Sequence, residues 1–296
     1  MNWIDNLNKA IVYLEENMTE EIDYKKVARI ACCSSYHFQR MFAYIADVPL
    51  SEYIRRRKMS LAALDLQTGK KVINVALKYG YSSPTAFNRA FQSVHGIAPS
   101  RIKELGVTLK SYPLISFKLI AKGVDEMKYR IEKKDDIRIL GVSAPFAGDF
   151  EKSYEMGESL WERVLMEASL LGDLNKICDS KPEGAFGIGI CYNEKQEGSF
   201  EDWIYEGKYI IGMPSTQPVG NFEEYIIPSL TWAIFSGVGF FQNDEAAKLE
   251  KRIMTEWLPS SGYEIADGPD IHFIFPTETL ENAAFEIWLP VKKSKS

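Results

Sequence analysis

Two stretches near the start of the chain repeat one another. Val27-Ala28, Ser34-Ser35, Phe38, Arg40 and Phe42 return as Val75-Ala76, Ser82-Ser83, Phe87, Arg89 and Phe91, at an offset of 48 that becomes 49 partway. Each copy places apolar residues at helical spacing, then a short turn, then a second helix opened by Ser-Ser. A duplicated unit of this kind leaves few folds open, and its pattern is that of a helix-turn-helix, present twice. The expectation for this region is an all-α domain.

The second helix of such a unit is the one that enters a major groove, so its outer positions need groups that reach phosphates and base edges. In the first copy Phe38, Met41 and Phe42 form the inward stripe and leave Tyr36, His37, Gln39 and Arg40 on or near the other face. In the second, Phe87, Ala90 and Phe91 point inward and leave Thr85, Asn88, Arg89 and Gln92. Either helix alone also reads as an amphipathic core helix with a solvated face. Duplication around a joining helix, roughly residues 50–66, favours DNA. That helix carries the run Arg55-Arg56-Arg57-Lys58. Two rigidly spaced reading heads meet successive major grooves, with half-sites about one helical turn apart.

Charge divides the chain in the same place. Residues 1–110 hold 16 Lys and Arg against 10 Asp and Glu, a balance of +6, while the remainder holds 19 against 31, a balance of −12. The acidic total of −6 therefore belongs to the second part, and the first is basic, as a DNA-binding domain requires. A chain of 296 residues has room for two domains with separate cores. No signal peptide and no long apolar run is visible, so neither export nor a membrane is expected. Cys32, Cys33, Cys178 and Cys191 show no disulfide or zinc spacing, which fits a reducing cytoplasm.

Residues 1–106 are expected as the DNA-binding domain, 107–126 as a linker, and 127–296 as a second domain. In that last part strand and helix alternate in two similar halves. Residues 129–146, 186–192 and 205–211 read as strands around a helix at 154–171. Residues 222–226, 231–236, 271–275 and 284–291 read as strands around a helix at 246–257. Two β-α-β-β units imply an α+β domain of two antiparallel sheets related by a pseudo-twofold axis, with a ligand cleft between the halves.

Glu286 stands out within Ala284-Phe285-Glu286-Ile287-Trp288-Leu289. Strand alternation puts it on one face with Trp288, opposite Phe285, Ile287 and Leu289. If both faces are covered, a carboxylate there is costly unless it meets a partner, and an anion among aromatics suits an organic cation. The same periodicity also allows a solvated face, or pairing with an internal Lys or Arg. The histidines His37, His95 and His272 are scattered without metal spacing, Gly184, Gly187 and Gly189 lie in a strand rather than before a helix, and no nucleophile elbow is present. No catalytic residue, metal or cofactor is expected.

The run SSYHFQRMF at 34–42 and VALKYGYSSPTAFNRAFQSVHGIAPS at 75–100, with the basic helix between, resembles the DNA-binding domain of the AraC family of transcription regulators, and its Rob-type members in particular. Phe87, Phe91, Gly96 and Pro99 fall on the signature of the second unit. The resemblance implies that Ser35, Tyr36, Gln39 and Arg40 face DNA in the first half-site, that Thr85, Asn88 and Arg89 do so in the second, and that Arg56 contributes from the joining helix. Rob-type proteins carry a polar pair where this chain has Pro84-Thr85, and Asp47 replaces the glycine usual after the first recognition helix.

From about Met127 the chain is similar to the GyrI-like effector-binding domain, on the evidence of EIWLPVKK at 286–293 and MTEWLPSSGY at 254–263. That domain follows the same DNA-binding domain in Rob-type proteins and occurs in BmrR-type multidrug sensors. The likeness implies that Glu286 is the acidic centre of a ligand pocket, with Tyr192, Trp203, Trp232, Phe275 and Trp288 as walls. The expectation is a cytoplasmic bacterial regulator that binds a double-stranded DNA operator, a small cationic or aromatic effector, and RNA polymerase as a further partner. The alternative from another class is a GyrI-like hydrolase of small molecules, using Glu286 and Tyr192, or a drug-sequestering binder, fused to a DNA-binding domain.

Overall fold

A computed structural model describes residues 3–20, 22–117, 126–148, 150–196, 203–240, 244–276 and 282–293. The chain forms two compact units, the first built from Met1–Leu119 and the second from most of the residues after Leu119.

The first unit is helical: α1 (Trp3–Glu16), α2 (Tyr24–Ile30), α3 (Ser35–Ala46), α4 (Leu50–Gln67), α5 (Val72–Lys78) and α6 (Pro84–His95), with a 3-10 turn at Pro99–Arg101. The pairs α2–α3 and α5–α6 are the two repeats. Their kinship reaches the backbone, because Cys33 N–H donates to the Ala28 carbonyl and Tyr81 N–H to the Ala76 carbonyl, each at 3.0 Å. The residue before each donor, Cys32 or Gly80, sits in the left-handed region at φ 61° or 83°. Ser34 caps α3 and Ser83 caps α6, so the residue that changes the offset lies in the second turn. At the far ends Asp47 (φ 54°) and Gly96 (φ 77°) hold equivalent left-handed caps; the unexpected Asp47 thus keeps the glycine geometry, at the strain an L-residue carries there.

Phe38, Phe42, Phe87 and Phe91 are fully buried, as the inward stripes require. The basic run on α4 does not form a DNA-facing ridge. Four consecutive helical residues step by about 100° each and so point to all sides. Arg57 pairs with Glu15 of α1, Arg55 and Arg56 with Glu52, and buried Lys58 donates to the Tyr79 carbonyl at 3.3 Å. Residues 111–117, within the expected linker, have no helix or strand but lie against this unit, with Phe117 buried.

The second unit runs β1 (Tyr129–Lys134), β2 (Ile137–Gly148), α7 (Phe150–Met166), α8 (Ala168–Ile177), β3 (Ala185–Gln196), β4 (Trp203–Pro214), β5 (Glu223–Ile227), β6 (Leu230–Val238), α9 (Glu245–Arg252), a π-helical stretch Ile253–Trp257, α10 (Leu258–Ser261), β7 (Tyr263–Ile265), β8 (Asp270–Ile274) and β9 (Ala284–Lys293). The halves follow the expected order. The helix read as 154–171 breaks at Glu167 to start α8, and β7 is an addition. The strands form one nine-stranded sheet in the order β1-β6-β9-β8-β3-β4-β2-β5, with β7 on β9. This corrects the expectation of two sheets. Strands β3 and β8 would each be an apolar edge of its own half, and pairing them antiparallel removes both edges. Strand β1 also joins the second half through β6, and β5 the first through β2.

One face of the sheet receives α7 on β2 and α9 on β6. The other carries an apolar layer that includes Ile139, Phe186, Ile188, Trp232, Ile234, Phe273 and Trp288. Both faces of β9 are therefore covered, and residues 285–291 are buried throughout. Among the described residues no helix is long and apolar enough to cross a membrane.

Two substitutions probe the helical unit. Gly80→Ala should cost about 1 kcal/mol, because the added methyl meets only ordinary contact while the backbone stays left-handed; urea titration of the full chain measures it. Burial pulls the His95 imidazole below its ordinary value, against a hydrogen bond with the Met59 carbonyl. A depressed folded value means stability that is complete above about pH 6.5 and is lost as pH falls below it. The urea midpoint should drop between pH 7 and pH 5, and His95→Gln should flatten that dependence.

Candidate functional site

The two reading helices differ in what they expose. On α6, Ser83 accepts from Ala86 N–H at 3.1 Å and Pro84 occupies the first turn, where its missing N–H costs nothing. Thr85, Arg89 and Gln92 are exposed and Asn88 half-buried. On α3, Ser34 accepts from His37 N–H at 3.2 Å and also meets His37 Nδ1 at 2.7 Å, so the imidazole serves the cap. Ser35 and Gln39 are buried, Arg40 is only 4 % exposed, and Tyr36 is half-buried. The open outer face expected on α3 is not what this structure presents. The Arg40 guanidinium instead lies 5.7 Å from the centre of the Tyr44 ring. Arg56, expected to reach DNA, pairs with Glu52 and lies 5.1 Å from the Tyr112 ring centre.

In the second unit Glu286 is 5 % exposed, so its charge needs a partner. The register supplies one: Arg130 lies opposite Ile234 on β6, and Ile234 opposite Trp288 on β9. Arg130 Nη1 donates to Glu286 Oε1 at 2.7 Å and Nη2 to Oε2 at 3.2 Å, while Trp288 Nε1 donates to Oε2 at 2.8 Å. The alternative that an internal arginine holds Glu286 is thus the observed state. Beside this pair is a cavity of about 500 Å³ that Glu286, Trp288 and Phe275 line together with Lys134 and Lys181. Trp232 does not line it; fully buried, it packs on Trp288 in the core with ring centres 5.9 Å apart. Tyr192 and Trp203 lie in β3 and β4, and their side chains fall outside the described residues.

A larger cavity, about 640 Å³, opens on the helical face between α7 and α9. Its walls include Trp161, Tyr209 and Phe240, and among the described residues its lining acids are Glu158, Glu162 and Asp244, with no Lys or Arg. Trp161 Nε1 donates to the Tyr209 hydroxyl at 3.3 Å, and the Phe240 ring stands edge-on to Trp161 at 5.8 Å. This close stacking depends on Gly187, where a side chain would meet the Tyr209 hydroxyl at 2.5 Å and Trp161 at 2.9 Å. Burial, then the charges of Asp244 and Glu155, push the Glu158 carboxyl up. His272 lines the same cavity, and its Nε2 lies 2.6 Å from Glu250, a buried carboxylate on α9.

Sequence reasoning missed this second cavity. A signal was present in Glu155, Glu158 and Glu162, whose spacing of three and four puts them on one helical face with Tyr154 and Trp161. Nothing in the pattern said which surface that face met. Among the described residues no group of three or more His, Cys, Asp or Glu could hold a metal ion.

Comparison with known proteins agrees with this division. Residues 27–104 match the helix-turn-helix domain family, and residues 127–292 match the GyrI-like small molecule binding domain. The transcriptional activator AarP of Providencia stuartii is 37 % identical over 103 residues, covering 34 % of this chain and 76 % of AarP. The regulatory protein SoxS of Escherichia coli strain K12 is 31 % identical over 95 residues, covering 32 % of this chain and 89 % of SoxS. The structure of SAV2435 bound to tetraphenylphosphonium aligns with a TM-score of 0.46 at 15 % identity, over 56 % of this chain and 94 % of that one. The chain belongs to the AraC family of DNA-binding transcription regulators and carries, after its helix-turn-helix domain, a GyrI-like small-molecule-binding domain.

Proposed function

We propose that this protein regulates transcription at a two-part double-stranded operator and that a small aromatic cation, bound in its second unit, alters operator affinity or contact with RNA polymerase. Thr85, Asn88 and Arg89 on α6 read one half-site. Ser35, Tyr36, Gln39 and Arg40 read the other. Arg89 supplies a base or phosphate contact worth about 1–3 kcal/mol.

The observation that carries the effector half is the α7–α9 cavity. A lipophilic cation leaving water needs opposite charge and aromatic faces together, and Glu158, Glu162 and Asp244 stand there beside Trp161, Tyr209 and Phe240. The raised Glu158 carboxyl fits the same picture, because a carboxylate disfavoured first by burial and then by the charges of Asp244 and Glu155 is favoured again by an arriving cation. The Glu286 cavity is the second reading, favoured by a buried carboxylate with Trp288 and Phe275 beside it. A cation binding there must displace Arg130, exchanging one ion pair for another. Sensing is the better account than turnover, since a DNA-binding domain on the same chain gives ligand occupancy a readout, and Glu286 is already taken up as an acceptor for Arg130 and Trp288.

Selection of random duplexes by the full-length protein, at one fixed salt concentration near physiological, should enrich two blocks about one turn apart. Arg89→Ala should weaken the enriched duplex by about tenfold or more; undiminished affinity would remove Arg89 from the interface. Calorimetric titration with aromatic quaternary ammonium ions, against neutral analogues of the same shape, tests the effector site. Glu158→Gln combined with Asp244→Asn should cost at least about tenfold in cation affinity, while Glu286→Gln should change it little. The reverse pattern would move the site to Glu286, and steady product formation would favour an enzyme.

A further inference from the structure

Residues 112–117 are held at successive points by α1 and α4. Asn8 clamps Phe117 from both sides, its Nδ2 donating to the Phe117 carbonyl at 2.9 Å and its Oδ1 accepting from Phe117 N–H at 2.8 Å. Ile115 N–H donates to the Tyr53 hydroxyl at 3.3 Å, and that hydroxyl donates to Glu15 at 2.6 Å. Tyr112 N–H donates to Ser60 Oγ at 3.0 Å, its carbonyl accepts from Arg57, and its ring lies against Arg56. A flexible tether would not keep three backbone N–H groups on three different side chains.

The two repeats show what this strap supplies. In the second repeat Phe91 of α6 packs against His95, four residues on, with ring centres 4.3 Å apart. The residue of α3 that corresponds to His95, at the offset of 49, is Ala46, which has no ring to offer. The counterpart of Phe91 is Phe42, and its open flank is filled by Phe117, edge-on at 5.9 Å, while Tyr53 of α4 covers another side at 5.3 Å. The first repeat thus borrows from beyond the domain a ring that the second carries itself.

We propose that Phe117, seated by Asn8, is a positioning residue for the first recognition helix: it fixes the pose of α3 against α4 without touching DNA. The strap belongs to the DNA-reading machinery. The inference rests on the assignment of α3 as a reading helix, so its test has one arm that needs no DNA. In full-length Phe117→Ala, amide hydrogen exchange should quicken at least fivefold within Ser35–Ala46 and stay unchanged within Pro84–His95. On the duplex selected by the wild-type chain, affinity should fall about tenfold. The penalty for scrambling one block should shrink at least threefold, and that block should be the one that still matters in Arg89→Ala. Phe117→Leu should restore most of both effects, and Asn8→Ala should reproduce them in weaker form. Unchanged exchange in α3 would overturn the proposal, as would equal loosening of α3 and α6, which would mark Phe117 as a general stabiliser. Loosened α3 with both block penalties unchanged would also overturn it. Failure to select any duplex, with α3 alone loosened, would instead count against the reading assignment and leave the packing role standing.

Discussion

The pairing of β3 with β8 is the constraint from which the second unit takes its form. Phe186 lies opposite Phe273 across that junction, and Ile188 opposite Ile271, so the two halves merge into one sheet with no apolar edge between them. A sheet continuous through its centre can bury both faces, with helices on one and an apolar layer on the other. Polar groups on the covered part of β9 then need partners, because burial withdraws them from water. Glu286 is the test of that rule. Removing a carboxylate from water costs several kcal/mol unless a charged donor replaces the solvent, and Arg130 with Trp288 does so with three hydrogen bonds. The roomier cavity lies on the helical face, lined by residues of α7 and α9 and by Tyr209 and His272 of the strands beneath.

Charge in the helical unit obeys a different logic. A basic domain could turn its cations outward, yet the arginines of α4 are held by Glu15 and Glu52 and stiffen the helix that joins the two repeats. Asp65 near its end is held in the same way. Burial raises its carboxyl, but hydrogen bonds from Lys70, Lys78 and Tyr79 outweigh that and bring it to about 2. These contacts tie α4 to α5, and a fixed distance between reading heads depends on that rigidity more than on the number of positive charges. Of the two reading helices, α6 is the one that keeps polar side chains exposed, at Thr85, Arg89 and Gln92.

Much of this architecture was legible in the sequence, and what was not legible shares a cause. The duplicated stripes ending in Phe42 and Phe91 located both helix-turn-helix units, because period and spacing are local properties. The αβ order of the second half was legible for the same reason. Residues whose meaning depends on a partner far along the chain were not. The carboxylate that holds Arg57, Glu15, lies 42 residues earlier. Trp232 looked like a pocket wall because an aromatic on a strand does not declare which covered layer it joins. Gly187 looked like an ordinary strand glycine, whereas its missing side chain is what admits Trp161 and Tyr209. Phe117 lay in a stretch without periodicity, and only the comparison of Ala46 with His95 gives it a reason.

Opposite charge on the two parts of the chain raises the question of how occupancy of one could alter the other. A monovalent cation changes a balance of −12 by one unit, and at physiological ionic strength the field of a surface charge decays over about 8 Å. A conformational coupling of the kind proposed shifts an equilibrium only by the difference in the effector's affinity for the two states. A cavity walled by α7 and α9, one helix from each half, meets that requirement. Ligand contact with both helices depends on their separation, whereas contact with one strand of a continuous sheet changes little. On that ground a cavity lined by helices of both halves is better suited to signalling than the Glu286 site, whose Glu286 and Trp288 stand on one strand of the continuous sheet.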